Sequence, residues 1–122
     1  MTRIEPPVIV RTGYFDADEV PAFRIPGITP DREVVQYEIE LPSEEGGTHF
    51  LNGVKEPIMP DTLLLAKEGD RRHTILPYKN LFVHIKAGGL IGETLDAASG
   101  FIRLSDPERI RCLLADIAAK ST

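Results

Sequence analysis

The sequence predicts a mainly β fold: an antiparallel β-barrel or jelly roll followed by one or two C-terminal α-helices. Three observations carry that expectation. Ten Gly and ten Pro act as punctuation through the first hundred or so residues, separating short runs rich in Val, Ile, Leu, Phe and Tyr. Many short strands joined by frequent turns read this way. Within this region the run 33–41 alternates apolar Val35, Tyr37, Ile39 and Leu41 with polar Gln36, Glu38 and Glu40, the period of a strand with one buried and one wet face. After Ala87-Gly88-Gly89 the spacing of apolar residues becomes helical.

Each element follows in order. Residues 8–15 form the first strand. The acidic Asp16-Ala17-Asp18-Glu19 ends it, and the apolar stretch 20–28, interrupted by Pro21 and Pro26, reads as an edge strand or extended arm. The alternating strand 33–41 comes next. Thr48-His49-Phe50-Leu51 and residues 54–58 flank Asn52-Gly53, a strong hairpin cue because both central turn residues favour positive φ. Pro60-Asp61 turns into a strand over 62–67, Glu68-Gly69-Asp70 turns again into 72–76, and 79–86 closes a set of eight or nine strands. Residues 90–98 suit a short helix. Ser105-Asp106-Pro107-Glu108 matches a capping box with Ser105 as N-cap. Beyond it Ile110, Leu113, Leu114, Ile117 and Ala118 share one helical face, which needs either the barrel wall or a partner chain to cover it.

At 122 residues the chain is shorter than a typical domain, which rules out a two-domain enzyme. One domain is expected, with a barrel and N-terminal arm over 1–87 and a helical extension over 88–122. With 42% apolar and 27% charged residues it can fold as a globule. A net charge of −5 argues against gripping nucleic acid through phosphate contacts. Cys112, the single cysteine, has no internal disulfide partner. No apolar run approaches the roughly 18 residues of a membrane span, and the amino terminus lacks a signal-peptide core. The expectation is a cytoplasmic protein with no membrane contact.

Signals for catalysis are weak. His49, His73 and His84 lie on separate strands with no His-x-His or Cys-containing ligand spacing, so each reads as a hydrogen-bonded or surface imidazole ahead of a metal ligand. No Gly-x-Ser-x-Gly elbow surrounds any serine, and no phosphate-cradling glycine loop is present. Glu38 and Glu40 share the polar face of their strand and are expected to face solvent. Arginines are the more suggestive polar type: Arg24, Arg32 and the pair Arg71-Arg72 could converge in a pocket with apolar walls.

The stretch Asp61-Thr62-Leu63-Leu64-Leu65-Ala66-Lys67-Glu68-Gly69-Asp70-Arg71-Arg72-His73, through Leu76-Pro77-Tyr78 and Phe82-Val83-His84-Ile85, resembles the amino-terminal sensor domain of AraC-type transcriptional regulators. Phe23-Arg24-Ile25-Pro26-Gly27, Asp31-Arg32-Glu33, Tyr37-Glu38-Ile39-Glu40 and the hairpin 47–53 agree. The resemblance spans most of residues 8–86 and implies a cupin-like barrel. Metal-using cupins carry a His-x-His pair where this chain reads Tyr37-Glu38-Ile39, so it implies no metal and no cofactor.

What the resemblance implies for function is a non-enzymatic effector-binding and dimerisation half of a regulator. Its small polar, sugar-like effector would sit among Arg24, Tyr37, Ile39, His49, His73 and Tyr78. Ile110, Leu113, Leu114 and Ile117 would then serve a homodimer. DNA would be contacted only through a helix-turn-helix half missing from this chain, which is either an excised sensor or a natural stand-alone one. Two alternatives stay open. One is a small cupin enzyme acting on a sugar or carboxylate, with the three histidines as an atypical metal set. The other is a ligand-free dimerisation module whose interior is filled by Leu63, Leu65, Leu81 and Val83.

Overall fold

The computed structural model describes residues 4–121, and its chain is mainly β. Among these residues the strands are β1 (Val8–Asp16), β2 (Arg32–Glu33), β3 (Tyr37–Pro42), β4 (Thr48–Leu51), β5 (Val54–Pro57), β6 (Thr62–Ala66), β7 (Arg71–Ile75), β8 (Lys79–Lys86) and β9 (Gly100–Arg103). The helices are α1 (Pro21–Arg24), α2 (Gly89–Ala98) and α3 (Pro107–Lys120). Hydrogen bonding groups the strands into two antiparallel sheets, a five-stranded one in the order β1-β8-β3-β6-β9 and a four-stranded one in the order β2-β7-β4-β5. They form a jelly-roll-like sandwich; the ladders do not join into one closed barrel.

Four corrections to the expected elements have local causes. Residues 20–28 are not an extended arm. The Asp16 carboxylate accepts from the Asp18 N–H and starts a short 3-10 turn, and Pro21, whose fixed φ suits a first helical position, opens α1. The expected strand 33–41 is split between sheets. Arg32 and Glu33 pair with β7, Tyr37 onward pairs with β6 and β8, and the chain crosses over at 34–36. At that crossing the Val34 N–H donates to the Asp70 carbonyl and its own carbonyl accepts from Gly69, so a turn replaces the ladder. Strand β9 was not foreseen; it pairs with β6 at the sheet edge. Finally α3 begins one residue later than the capping box suggests. Asp106, not Ser105, caps it by accepting from the Arg109 N–H at 3.3 Å.

The hairpin behaves as expected, with Asn52 at φ 51° and Gly53 at φ 79° joining β4 to β5. Gly46 and Gly47 serve a different end: a Cβ on Gly47 would overlap the Ile75 carbonyl oxygen, so two chain segments meet there at backbone distance.

Packing is layered. Strand β8 turns Leu81, Val83 and Ile85 to one side, and Leu41 and Ile39 of β3 lie beside them. Leu95 of α2 and Ile110, Leu114 and Ile117 of α3 cover this face. Three of the four side chains expected to fill the interior, Leu63, Leu81 and Val83, belong to this helix-facing layer instead, and the fourth, Leu65, is buried at 3% exposure. Most of the α3 stripe is therefore spent on its own sheet; Leu114 is 5% exposed, while Leu113 points outward at 51%. Arg111 fastens the same helix by donating to the carbonyls of Pro42 and Pro60. Two further apolar clusters lie in the sandwich: Val34, Leu51, Leu64 and Ala66 in one, and Ala17, Ile58 and Tyr78 in the other.

Candidate ligand-binding site

The polar face of β3 looks inward. Glu38 and Glu40, expected in solvent, are 2% and 6% exposed between the sheets. The cause is the helical layer: α2 and α3 cover the apolar face of β3, so the opposite face, carrying the carboxylates, becomes the interior of the sandwich. Tyr37 and Ile39 correspondingly turn away from it. The Tyr37 hydroxyl donates to Asp96 Oδ1 at 2.6 Å and lies 3.0 Å from the Gly92 carbonyl of α2, and burial together with this carboxylate pushes its pKa up to about 12.

Strands β7 and β8 supply the partners by the same two-residue period. On β7, Arg72 and Thr74 point inward while Arg71, His73 and Ile75 point out. Asn80, Phe82 and His84 are the inward set of β8. A register shift between Ile9 and Arg11 changes the parity of β1, so that Arg11 sits opposite His84, Gly13 opposite Phe82 and Phe15 opposite Asn80. This bulge is what brings Arg11 to the cavity-lining side of β1, where it remains exposed.

These side chains form one continuous network. Arg72 donates from Nη1 to Glu38 Oε1 at 2.9 Å and to Glu40 Oε2 at 2.8 Å, and from Nη2 to Glu40 Oε1 at 3.0 Å. Arg32 grips Glu38 through both terminal nitrogens, at 2.7 and 2.6 Å. The Tyr78 hydroxyl donates to Glu40 Oε1 at 2.7 Å. His84 relays between the ends: Arg11 Nε donates to its Nδ1 at 3.3 Å, which places the ring proton on Nε2, 3.4 Å from Glu40 Oε2.

Electrostatics follow from burial and pairing. Burial alone would raise the Glu40 pKa, but the charge of Arg72 and the hydrogen bonds from His84, Arg72 and Tyr78 outweigh it and hold the carboxyl well below its ordinary value. Arg72 shows the mirror case: burial lowers its pKa, and Glu40, Tyr78 and Glu38 together raise it further than burial lowers it. The Tyr78 hydroxyl is pushed well above its ordinary range by burial and then by Glu40. Burial and the Arg72 charge lower His49 to about 4, so this imidazole is neutral at physiological pH.

Beside the network lies a cavity of about 500 Å³, within the size range of small-molecule sites. Its polar lining includes Arg11, Arg32, Arg72, Thr74 and Asn80 together with the Arg72-paired Glu40, Tyr78 and His84, and Phe15, Phe23 and Phe82 are among its apolar walls. One acceptor there has no donor: Asn80 is 2% exposed, and its Oδ1 makes no hydrogen bond among the described residues.

Of the expected ligand-contacting residues, Tyr78 lines this cavity. His49 is interior but sits behind it, its Nδ1 3.1 Å from Thr74 Oγ1 and its ring edge-on to Tyr78. His73 is on the outer face of the four-stranded sheet, stacked on Phe50 at 4.5 Å and 3.6 Å from Asp31. Arg24 is exposed, and its neighbour Phe23 reaches the cavity in its place. Sequence reasoning did not single out Arg11, Thr74 or Asn80, placed Glu38 and Glu40 in solvent, and considered His84 only as an isolated imidazole or a member of a three-histidine metal set. Inward alternation on β8 was a usable signal for two of these; the β1 bulge left none.

His73 faces away from His49 and His84, so the three histidines cannot form one metal set. A different trio, Glu38, Glu40 and His84, brings ligand atoms within 4.8 Å of one another. Arg72 already occupies both carboxylates, and a cation entering there would have to displace its guanidinium. Among the described residues no helix is long and apolar enough to cross a membrane. Comparison with known protein families and with curated proteins finds no match for this chain.

Proposed function

We propose that the chain is the effector-binding and dimerisation part of an AraC-type transcriptional regulator, and that it takes a small polar metabolite into the cavity between its sheets. The observation that carries this reading is the cavity itself: a polar lining of arginines, Thr74 and Asn80 set against phenylalanine walls. Such a lining orients a ligand without offering it a reaction. Both interior carboxylates are engaged by guanidinium groups, which leaves neither free as a base. In this reading the chain is not an enzyme, and DNA contact belongs to a helix-turn-helix half beyond these residues.

Strand β3 gives occupancy a route to the helices. Its inward face holds Glu38 and Glu40 in the network beside the cavity, and its outward face holds Tyr37 against α2. An effector that binds more tightly to one arrangement of β3 shifts the population of that arrangement by its differential affinity. Homodimerisation is part of the same proposal, with Leu113 the member of the α3 stripe left outward to serve it.

A thermal-shift screen against sugars, sugar acids and other small polar metabolites, with and without divalent metal ions, tests the reading. A metal-independent rise of the midpoint is the expected result. A rise seen only with metal would favour an enzyme built on the Glu38, Glu40 and His84 trio, and no rise with any compound would leave a ligand-free module.

A further inference from the structure

Given that the cavity takes a small polar ligand, the geometry points to one particular class: we propose that the occupant is a hydroxylated monoanion, a sugar acid, with its carboxylate at Arg11 and a hydroxyl donating to Asn80 Oδ1.

The two interior carboxylates are each matched, and the cavity has one further guanidinium, on the exposed Arg11. Glu38 and Glu40 are matched by Arg32 and Arg72, each within ion-pair distance. Arg11 is the third guanidinium lining the cavity. Its Nε is committed to the uncharged nitrogen His84 Nδ1, and among the described residues no carboxylate lies within ion-pair distance of it. Both of its terminal nitrogens remain available as a fork, the geometry that matches a carboxylate in two parallel hydrogen bonds. A monoanion gains this one unpaired fork, a neutral ligand does not use it, and a dianion would bring a second charge with no guanidinium left to meet it.

Asn80 imposes the second requirement. Its buried Oδ1 has no donor, and an acceptor stripped of water and left unpaired is costly, so a ligand gains by presenting an O–H or N–H there. An ionised carboxylate only accepts hydrogen bonds. The group that meets Arg11 therefore cannot also satisfy Asn80, and the ligand must carry an anionic acceptor and a separate donor. The carbon skeleton between them would pack on Phe15, which pairs with Asn80 across the β1–β8 ladder, and on Phe82, which lies on β8 between Asn80 and His84, the partner of Arg11. A six-carbon hydroxy acid meets all three conditions.

Isothermal titration calorimetry at fixed ionic strength compares D-galacturonate and D-gluconate with neutral D-galactose and with cyclohexanecarboxylate, which has the charge but no hydroxyl. The hydroxy acids are expected to bind at least about tenfold more tightly than either control. Arg11→Gln should remove most of that advantage while leaving the weak binding of galactose as it was, and Arg11→Lys should retain part of it. Arg11 is exposed, so these variants are expected to fold. Galactose binding as tightly as the acids, cyclohexanecarboxylate matching them, or an Arg11→Gln variant with unchanged acid affinity would each overturn the sugar-acid assignment alone. If wild-type protein bound none of these probes, and the wider screen also found nothing, the ligand-binding reading would fall with it.

Discussion

Arg72 is the residue on which the interior depends. It is 5% exposed and joins two carboxylates that are themselves 2% and 6% exposed. Truncating one partner of such a cluster is far more damaging than replacing the cluster, because the remaining charges stay buried and unpaired. Arg72→Met is accordingly expected to lower unfolding free energy by about 3–5 kcal/mol in urea denaturation. Adding Glu40→Gln should recover part of that loss; a single-variant loss below about 1 kcal/mol would show the network to be solvated. His49 sets the pH response. Its pKa falls from an ordinary 6.5 to about 4 on folding, so between those values the unfolded chain binds the extra proton and stability declines as pH falls. The decline should amount to about 3 kcal/mol at most, and His49→Asn should flatten it in denaturation curves recorded from pH 7 to pH 4. Glu40, depressed rather than raised, adds its loss only below its unfolded value of 4.5. Residue by residue, alternation correctly separated the two faces of β3 and correctly buried the apolar one, but left the polar one in solvent. Periodicity reports that a strand has two environments; here the apolar face was buried under helices and the polar face was buried around Arg72.

Turn chemistry made most elements legible. Asn52-Gly53, Glu68-Gly69-Asp70 and Pro60-Asp61 mark strand ends because few other residues accept those backbone conformations, and β8 was read with its bounds intact. Misreadings fell where tertiary contacts overrule a local pattern. The crossing at 34–36 is made by the turn around Asp70, whose buried carboxylate accepts from Asn52 Nδ2 and the Lys67 N–H. No local periodicity encodes such a change of sheet. For α3 the helical spacing was clear, yet spacing alone could not say what covers the stripe. The packing answers for most of it and supplies a test within one helix. Leu114→Ala should cost about 2–5 kcal/mol, as expected for a buried leucine, whereas Leu113→Ala should change monomer stability by about 0.5 kcal/mol or less. Equal losses at both positions, measured at low and high protein concentration, would mean that the outward face of α3 is also covered.

On the scale of the whole molecule, helices, a five-stranded sheet and a four-stranded sheet are stacked so that apolar packing lies between the first two, and the ionic network lies beside two apolar clusters between the last two. Composition, turns and the final helical segment were enough to anticipate the mainly β class and the C-terminal helix. They did not reveal an ionic interior, because its members come from β1, β2, β3, β7 and β8 and meet only through the fold. The account's central claim is that this interior, and not the His73–Phe50 surface outside the four-stranded sheet, receives a ligand. Amide chemical-shift mapping of the 13.5 kDa chain during titration with the compound that most raises its thermal midpoint tests that claim directly. The account predicts the largest saturable shifts at Arg11, Arg72, Thr74, Asn80 and Phe82. Shifts confined to Phe50, Arg71, His73 and Ile75, with the interior amides unmoved, would contradict it.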